Sequence, residues 1–368
     1  MQATETVAAR PTVSVIVPAR NEEACLRACL ESLVAQTGVA FEVIVVDDHS
    51  TDRTREIALS FPGVRVIDAV ALPQGWTGKN NAVTSGERMA QGEWLLFTDA
   101  DTVHLPGSLA RSLDEAKRHG AALLSYSPEQ VVVSLWEKAA MPVIFAELAS
   151  RYSPSQVSDP NSAVAAANGQ YILITREAYD AVGGHAALSG TLLEDVALAR
   201  AVKGSGRKIL FRYGGDAVRT RMYRSLAQLR EGWTKNLALL FPSPALLALW
   251  RLLEFAVIVA SLALLTLAVA EKNSFYAAVC IIPPAITFMR ISRAHFSWDA
   301  NVLGLFGLPF FSYLLLRSKR AHANGSVAWK GRSYTPPPMK KATPASRSNV
   351  SETSANPTTE NRELRTEN

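Results

Sequence analysis

Two aspartates, Asp99 and Asp101, directly follow the apolar run 94–98. Residues i and i+2 of an extended chain point to the same side, so both carboxylates are expected to face one site. Hard divalent cations prefer anionic oxygens and leave coordination positions for substrate phosphates. The pair therefore predicts a site for Mg²⁺ or Mn²⁺ with a diphosphate, although a solvated turn or helix cap could show the same pattern.

The elements around this pair alternate between strands and helices. Apolar runs predict strands at 13–18, 41–46, 64–68 and 94–98, and helical spacing predicts helices at 22–36, 51–60, 79–90 and 105–119. This alternation is typical of a doubly wound, mostly parallel sheet, which binds ligands at the carboxyl ends of its strands. Asp47 and Asp48 follow the second strand, so both acidic clusters are expected at that edge. Lys79 follows a glycine at a predicted helix start, where a phosphate would be stabilised; a solvated lysine is the alternative.

The carboxyl-terminal third carries three apolar runs. Residues 252–270 contain a single charged residue, Glu254, and are long enough to cross a bilayer. The runs 275–289 and 301–316 are shorter and contain proline or glycine, so buried core helices are an alternative for them. Basic residues flank all three runs: Arg290, Arg293, Arg317, Lys319, Arg320, Lys330 and Arg332. This pattern predicts contact with anionic lipid headgroups and a multi-pass protein of the inner membrane.

Composition excludes several other classes of protein. The chain has 368 residues, 48% of them hydrophobic, and a net charge of +5. No zinc-ligand spacing or basic–aromatic array points to nucleic acid. The amino terminus shows no signal-peptide pattern, so the first two hundred residues are expected in the cytoplasm.

Five segments are expected from these patterns. Residues 1–11 are a flexible start, 12–240 a catalytic α/β domain ending in interfacial helices, 250–316 a membrane region of two to three apolar segments, 317–334 a basic juxtamembrane segment, and 335–368 a disordered tail. In the interfacial stretch 219–240, cations are expected at headgroups and aromatic rings at the membrane surface. Three full passes would place residues 317–320 outside, so one short run is expected to be re-entrant or interfacial.

Four motifs together resemble family-2 glycosyltransferases of the GT-A fold, over about residues 11–240. They are VSVIVPARNE at 13–22, VIVVDDHSTDRT at 43–54, FTDADT at 97–102 and LED at 193–195. The segments WTGK at 76–79, NGQ at 168–170 and WKGR at 329–332 are similar to a membrane-anchored branch associated with hopanoid and carotenoid glycosylation and related to ceramide glucosyltransferases.

The resemblance implies inverting transfer of a sugar from a nucleotide-diphosphate donor, expected to be UDP-linked, to a hopanoid, carotenoid or glycerolipid acceptor. It implies Asp195 as general base and a divalent metal at Asp99 and Asp101. Donor contacts are implied for Pro18, Arg20, Glu22, Asp47, Asp48, Lys79, Asp99, Arg221 and Arg224. Arg221 and Arg224 lack the tryptophan that follows them in processive members, which favours a single transfer; Tyr223 is the candidate replacement ring.

Other interpretations of the same residues remain open. Glu194 and Asp52 are expected to cap helices, and His185 to be structural. The segments 168–170 and 183–185 are expected to shape the acceptor pocket. Transfer to polyprenyl phosphate is the main alternative function, and a non-catalytic membrane scaffold is a remote one. A signalling receiver-like domain would explain Asp47 and Asp48 but not the second acidic pair or the apolar runs.

Overall fold

The computed structural model describes residues 10–334, an α/β domain followed by three long apolar helices. The predicted tail 335–368 and most of the predicted flexible segment 1–11 lie outside these residues. The strands are β1 (Val13–Ala19), β2 (Phe41–Asp47), β3 (Val64–Asp68), β4 (Trp94–Phe97), β5 (Thr102–His104), β6 (Leu123–Ser127), β7 (Glu129–Gln130), β8 (Ile172–Thr175), β9 (Ile209–Tyr213), β10 (Val218–Thr220), β11 (Val327–Trp329) and β12 (Arg332–Tyr334). The helices are α1 (Leu26–Val34), α2 (Thr54–Leu59), α3 (Gly78–Glu87), α4 (Ser108–His119), α5 (Leu135–Arg151), α6 (Pro154–Ser158), α7 (Arg176–Ala181), α8 (Glu194–Gly204), α9 (Leu226–Leu240), α10 (Pro244–Ala270), α11 (Ser274–Ser292) and α12 (Trp298–Ala323).

Seven strands form the central sheet, in the order β3-β2-β1-β4-β8-β6-β9. Neighbours run parallel except at β8, which is antiparallel to β4 and β6. Alternate residues of β1 enter two cores: Val15 and Val17 share one with α1, and Ile16 shares the other with α3. Burial on both faces explains why the strands are continuous apolar runs. The predicted mostly parallel α/β sheet is confirmed, but β8 makes it mixed.

Helices α10, α11 and α12 are each long and apolar enough to cross a membrane. The three predicted runs lie inside them, and Pro283, Pro284 and Pro309 all fall within helical segments. In α10 and α11 only 11% of the most apolar window is buried, against 50% in α12. Half of α12 is therefore packed against protein, whereas α10 and α11 leave most of their apolar side chains uncovered.

Contacts at both ends keep α12 beside the α/β domain. Near its start, Asp299 pairs with Lys138 of α5 at 2.5 Å. Near its end, Ser318 Oγ donates to the carbonyl of Thr234 in α9 at 2.6 Å, and His322 Nε2 lies 2.8 Å from the carbonyl oxygen of Lys235. The hairpin β11–β12 follows directly and packs on α9. Helix α12 also packs along α5.

Four charged side chains, hereafter the base network, join α5 to α10 and α11. Glu147 of α5 pairs with Arg251 at 2.9 Å and also with Arg290. Arg290 pairs in turn with Glu254 at 2.9 Å, and Arg251 also meets Glu254. Thr287 Oγ1 donates to Glu254 at 2.6 Å. The expectation that Arg290 faces lipid headgroups is therefore wrong, because its guanidinium is engaged inside the protein.

The stretch predicted to lie in the headgroup layer is largely internal on its apolar side. Leu229, Trp233 and Leu237 of α9 are buried in the same core as residues of α12. Tyr223 is only 3% exposed, and its ring packs edge-on against Trp233 at 6.1 Å. Trp233 also packs edge-on against Phe145 of α5 at 6.1 Å, so both aromatic rings of this stretch lie inside the protein.

Candidate active site

The carboxyl ends of β1, β2 and β4 place the two acidic pairs at one edge of the sheet. Ile16 of β1 is in register with Phe97 of β4, which brings Pro18 beside Asp99. Pro18, Lys79, Asp99, Gly169 and Glu194 line a single cleft. A tight turn follows β4, with the amide of Thr102 donating to the carbonyl of Asp99 at 3.2 Å. Five segments distant in sequence therefore meet in this cleft.

Lys79 links the metal-site candidate to the second acidic motif. Thr77 caps α3 by accepting from the amide of Asn80, which places Lys79 in the first turn. Its ammonium lies 2.8 Å from Asp99 Oδ1 and 2.8 Å from Glu194 Oε1. Glu194, expected only as a helix cap, does stand in the first turn of α8 but also belongs to this ionic chain. Sequence reasoning missed the pairing because it joins three separate segments.

Asp195 is held by two backbone amides. Its Oδ2 accepts from Gly169 at 3.0 Å and its Oδ1 from Val196 at 2.7 Å. A Cβ added to Gly169 would lie 2.9 Å from Lys79 Nζ and 3.5 Å from Asp195 Oδ2. Glycine at 169 therefore allows the backbone to approach both charged groups closely, which gives the predicted segment 168–170 a definite role in shaping the site.

The electrostatics of the cleft are dominated by carboxylates. Burial, followed by the charges of Asp99 and Glu22, raises the pKa of Asp101 to about 8. Burial and the charge of Glu194 raise the pKa of Asp195 to about 6. Burial opposes a charged Lys79, yet Asp99 and Glu194 outweigh it and hold the pKa of Lys79 well above its usual value. The cleft thus holds a fixed cation among acids that resist further negative charge.

The residues at the edge fit a divalent cation. Asp101 Oδ1 is buried and, within residues 10–334, has no hydrogen-bond partner. The side chain of Asp99 is 30% exposed in the cleft. Nowhere in this described part do three His, Cys, Asp or Glu side chains form a metal site. The protein thus offers two carboxylates, and Mg²⁺ or Mn²⁺ commonly takes its remaining ligands from phosphates and water.

The residues expected around the nucleoside surround the end of β2. Arg20 Nη1 donates to the carbonyl of Asp48 at 2.6 Å, and Asp47 Oδ1 accepts from the amide of Ser50 at 3.2 Å. Asp52 accepts from the amides of Thr54 and Glu23, so its capping role is supported.

The hairpin β11–β12 covers the end of β2. Arg332 pairs with both oxygens of Asp48, one of them at 2.9 Å, and Lys330 pairs with Glu22. Trp329 lies under the ammonium of Lys235 at 5.5 Å. The prediction that Lys330 and Arg332 face lipid headgroups is wrong, because they neutralise carboxylates of the α/β domain. The WKGR motif was noticed in the sequence, but nothing local to it indicates so distant a partner.

The other two predicted donor contacts lie apart from this ionic chain. Arg221 forms a bidentate pair with Glu137 of α5, with distances of 3.0 and 3.1 Å. Arg224 is exposed, and its amide donates to Gln228. His185 is buried, with Nδ1 3.0 Å from the hydroxyl of Tyr179, and burial lowers the pKa of His185 to about 4. A structural role for His185 is therefore supported.

Comparison with known proteins agrees with this geometry. Residues 14–182 match the family described as Glycosyl transferase family 2. The chain is 29% identical over 338 residues to 4,4'-diaponeurosporenoate glycosyltransferase of Staphylococcus aureus, with 88% of each chain covered.

Two solved structures are also similar. Mannosyltransferase PcManGT of Pyrobaculum calidifontis, in complex with GDP-Man and Mn²⁺, is 17% identical with a TM-score of 0.48, over 85% of this chain and 87% of that one. Glucosyl-3-phosphoglycerate synthase of Mycobacterium tuberculosis, with Mn²⁺, UDP and glucosyl-3-phosphoglycerate, is 22% identical with a TM-score of 0.42, over 62% and 79%. The family match agrees with the predicted family over the part of the chain that it covers: residues 14–182 form a glycosyl transferase family 2 domain.

Proposed function

We propose that the chain transfers a sugar, with inversion, from a UDP-linked donor to a lipid in the membrane. The observation that carries this proposal is the position of Asp195. Its carboxylate is fixed by the amide of Gly169 and lies beside the ionic chain formed by Glu194, Lys79 and Asp99. A candidate base thus lies next to a candidate site for phosphate charge, as direct displacement requires.

The residues divide the chemistry between them. A divalent cation at Asp99 and Asp101 would act as a Lewis acid on the leaving diphosphate. Lys79 supplies a fixed positive charge in the same place, while Glu194 holds its ammonium in position. Asp195 accepts the proton from the acceptor hydroxyl. A pKa near 6 leaves it ionised at neutral pH and still basic enough to take that proton.

A lipid acceptor is supported by the uncovered apolar helices. Large hydrophobic side chains of α10 and α11 are widely exposed, for example Leu267 at 60% and Phe275 at 74%. A surface of this kind marks an interaction with membrane or protein. The relative with 29% identity acts on diaponeurosporenoate, a carotenoid-type acceptor. We therefore assign the acceptor to the carotenoid or another membrane-lipid class.

The contacts of the base network suggest a two-pass topology for the apolar helices. From Glu254 to the end of α10 the helix extends about 24 Å beyond the base network, close to the roughly 30 Å of a hydrocarbon core. We infer that α10 and α11 form a membrane hairpin, while α12 stays beside the catalytic domain as the interfacial segment. Residues 327–334 then lie on the side of the active site, which is the cytoplasmic side under the positive-inside rule.

The test uses the full chain in membranes with radiolabelled nucleotide sugars and a panel of lipid acceptors. Asp195→Asn should retain donor binding but lose about 10²- to 10⁴-fold in turnover with a hydroxyl acceptor. Asp180→Asn, an exposed aspartate of α7, is the matched control and should behave as wild type. Normal turnover of Asp195→Asn with a hydroxyl acceptor would exclude Asp195 as the base.

Comparing hydroxyl with carboxylate acceptors shows which chemical class the natural acceptor belongs to. A carboxylate acceptor, as the name of the relative indicates, is already a nucleophile and needs no proton removed. If Asp195→Asn abolished transfer to hydroxyl acceptors but spared carboxylate acceptors, the natural acceptor would be an acid. Product formed only on polyprenyl phosphate would replace the carotenoid-type assignment with the alternative function.

A further inference from the structure

A groove of about 510 Å³ opens between α9, α10 and α12. Its walls come from Thr234 of α9, Leu252 of α10, a face of α12 and the turn after α12. Asp99, Asp101, Lys79, Glu194 and Asp195 do not line it. The groove is therefore distinct from the glycosyl-transfer cleft.

The groove changes character along its length. Pro309, Tyr313 and Leu316 line the part nearer the start of α12, together with Leu252 of α10. Arg317 and Arg320 line the part nearer its end, with Asn324 beyond them. These positions recur every three or four residues, so they lie on one face of the helix. One side of α12 thus presents an apolar wall that ends in two cations.

The two arginines have no carboxylate partners within residues 10–334. Arg317 Nε donates to Thr234 Oγ1 at 3.1 Å, which orients its guanidinium along the groove. Arg320 forms no ion pair in the same described range. By contrast, Arg251 of α10 and Arg290 of α11 are neutralised in the base network. Adjacent unpaired guanidinium groups suit the several oxygens of a phosphate.

We propose that this groove binds an anionic phospholipid, with its phosphate at Arg317 and Arg320. The acyl chains lie along Leu252 and Pro309 and continue onto the uncovered face of α10, where Leu253 is 48% and Val257 is 52% exposed. This continuity with a membrane-facing surface favours a lipid over a soluble phosphate compound. The site holds α12 at a defined depth and does not depend on the identity of the sugar acceptor.

The experiment uses the purified full chain in neutral detergent. Its melting midpoint and bound lipid, counted by native mass spectrometry, are measured during titration with phosphatidylglycerol, phosphatidylcholine or inorganic phosphate. Phosphatidylglycerol should stabilise the wild type more than phosphatidylcholine does, and phosphate alone should have little effect. Arg317→Gln combined with Arg320→Gln should weaken apparent phosphatidylglycerol affinity about tenfold or more.

Lys319→Gln is the matched control, because Lys319 is an exposed cation of the same helix that does not line the groove. It should keep the wild-type preference. An equal loss in Lys319→Gln, or an unchanged preference in the double variant, would overturn the proposal in favour of diffuse surface charge. Protection by inorganic phosphate alone would overturn it in favour of a soluble ligand. If the double variant melts early without lipid, Arg320→Gln alone provides the same comparison.

Discussion

The α/β domain contributes to two clusters of charged side chains. The clusters differ in the ratio of carboxylates to cationic groups. In the base network, Glu147 and Glu254 face Arg251 and Arg290, so carboxylates and guanidinium groups are equal in number. The active-site cluster has four carboxylates and two ammonium groups: Asp99, Asp101, Glu194 and Asp195 with Lys79 and Lys235.

We interpret the excess of carboxylates in the active-site cluster as a sign that this cluster binds a cationic ligand. Balanced pairs stabilise contacts among α5, α10 and α11 and leave no charge for chemistry. The active-site cluster would carry two uncompensated negative charges if fully ionised. Burial, and after it the neighbouring carboxylates, raises the pKa values of Asp101 and Asp195. Two missing positive charges match one divalent cation. An excess of negative over positive side chains in a cleft is therefore a better guide to function than the number of charged residues.

The largest effect on folding is expected from Glu147→Gln. Removing one partner leaves Arg251 and Arg290 with an incomplete set of acids, which should cost about 3–5 kcal/mol of unfolding free energy. Thermal unfolding in detergent measures this, and turnover per folded molecule should stay within about twofold. Glu177→Gln, at an exposed pair with Arg207, is the control and should cost under about 1 kcal/mol. A stable Glu147→Gln protein would show that the balance of the network is not structural.

An intermediate effect is expected from Arg332→Gln. This change leaves Asp48, only 4% exposed, without its bidentate partner and should cost about 1–3 kcal/mol. Protection of the hairpin from hydrogen exchange should fall together with the melting midpoint. Arg53→Gln breaks an exposed pair with Glu56 and should change stability by under about 1 kcal/mol. Equal effects of the two changes would mean that the hairpin contact adds nothing beyond a surface pair.

The pH dependence of transfer tests the active-site imbalance directly. Asp195 must be deprotonated to accept a proton, and its pKa is about 6. For a hydroxyl acceptor, kcat/KM should therefore rise with pH through about 6 and fall about tenfold per unit below it. The Asp195→Asn variant should lose this rise of kcat/KM with pH. With a carboxylate acceptor, the wild type should show only a weak rise. A limb centred near pH 4 would mean that Asp195 behaves as an ordinary carboxylate.

A pH-dependent effect on stability is expected from Asp101→Asn in metal-free protein. Because the folded state binds a proton at Asp101 up to about pH 8, wild-type stability should decline as pH rises from about 4 to 8. The asparagine variant should lose this decline and be more stable than the wild type near pH 8. Its binding of UDP with Mn²⁺ should weaken at the same time. A lower stability at pH 8 would assign Asp101 to holding the fold.

The sequence predicts best what depends on local pattern. The strands before Asp48 and Asp99 are continuous apolar runs, so their position at one sheet edge follows from topology alone. Asp195 was predicted from the resemblance of the LED motif, and its role as base stays a prediction. The Lys79–Glu194 pair, the base network and the contact between Arg332 and Asp48 could not be predicted, because each joins segments far apart in the chain. The partial burial of α12 was one of the alternatives left open for the run 301–316, and only its contacts with α5 and α9 distinguish it from α10.

The contact between the hairpin β11–β12 and the first strands has a consequence for biosynthesis. Lys330 meets Arg20 across a sequence separation of 310 residues, and all three apolar helices lie between them. Translation proceeds at about 5–20 residues per second. The hairpin β11–β12 is therefore synthesised many seconds after β1 and β2 have left the ribosome. A chain interrupted before residue 327 would keep every acid of the active site and lack that hairpin. The hairpin contact with the first strands is thus tied to the end of translation, after the three apolar helices have been synthesised.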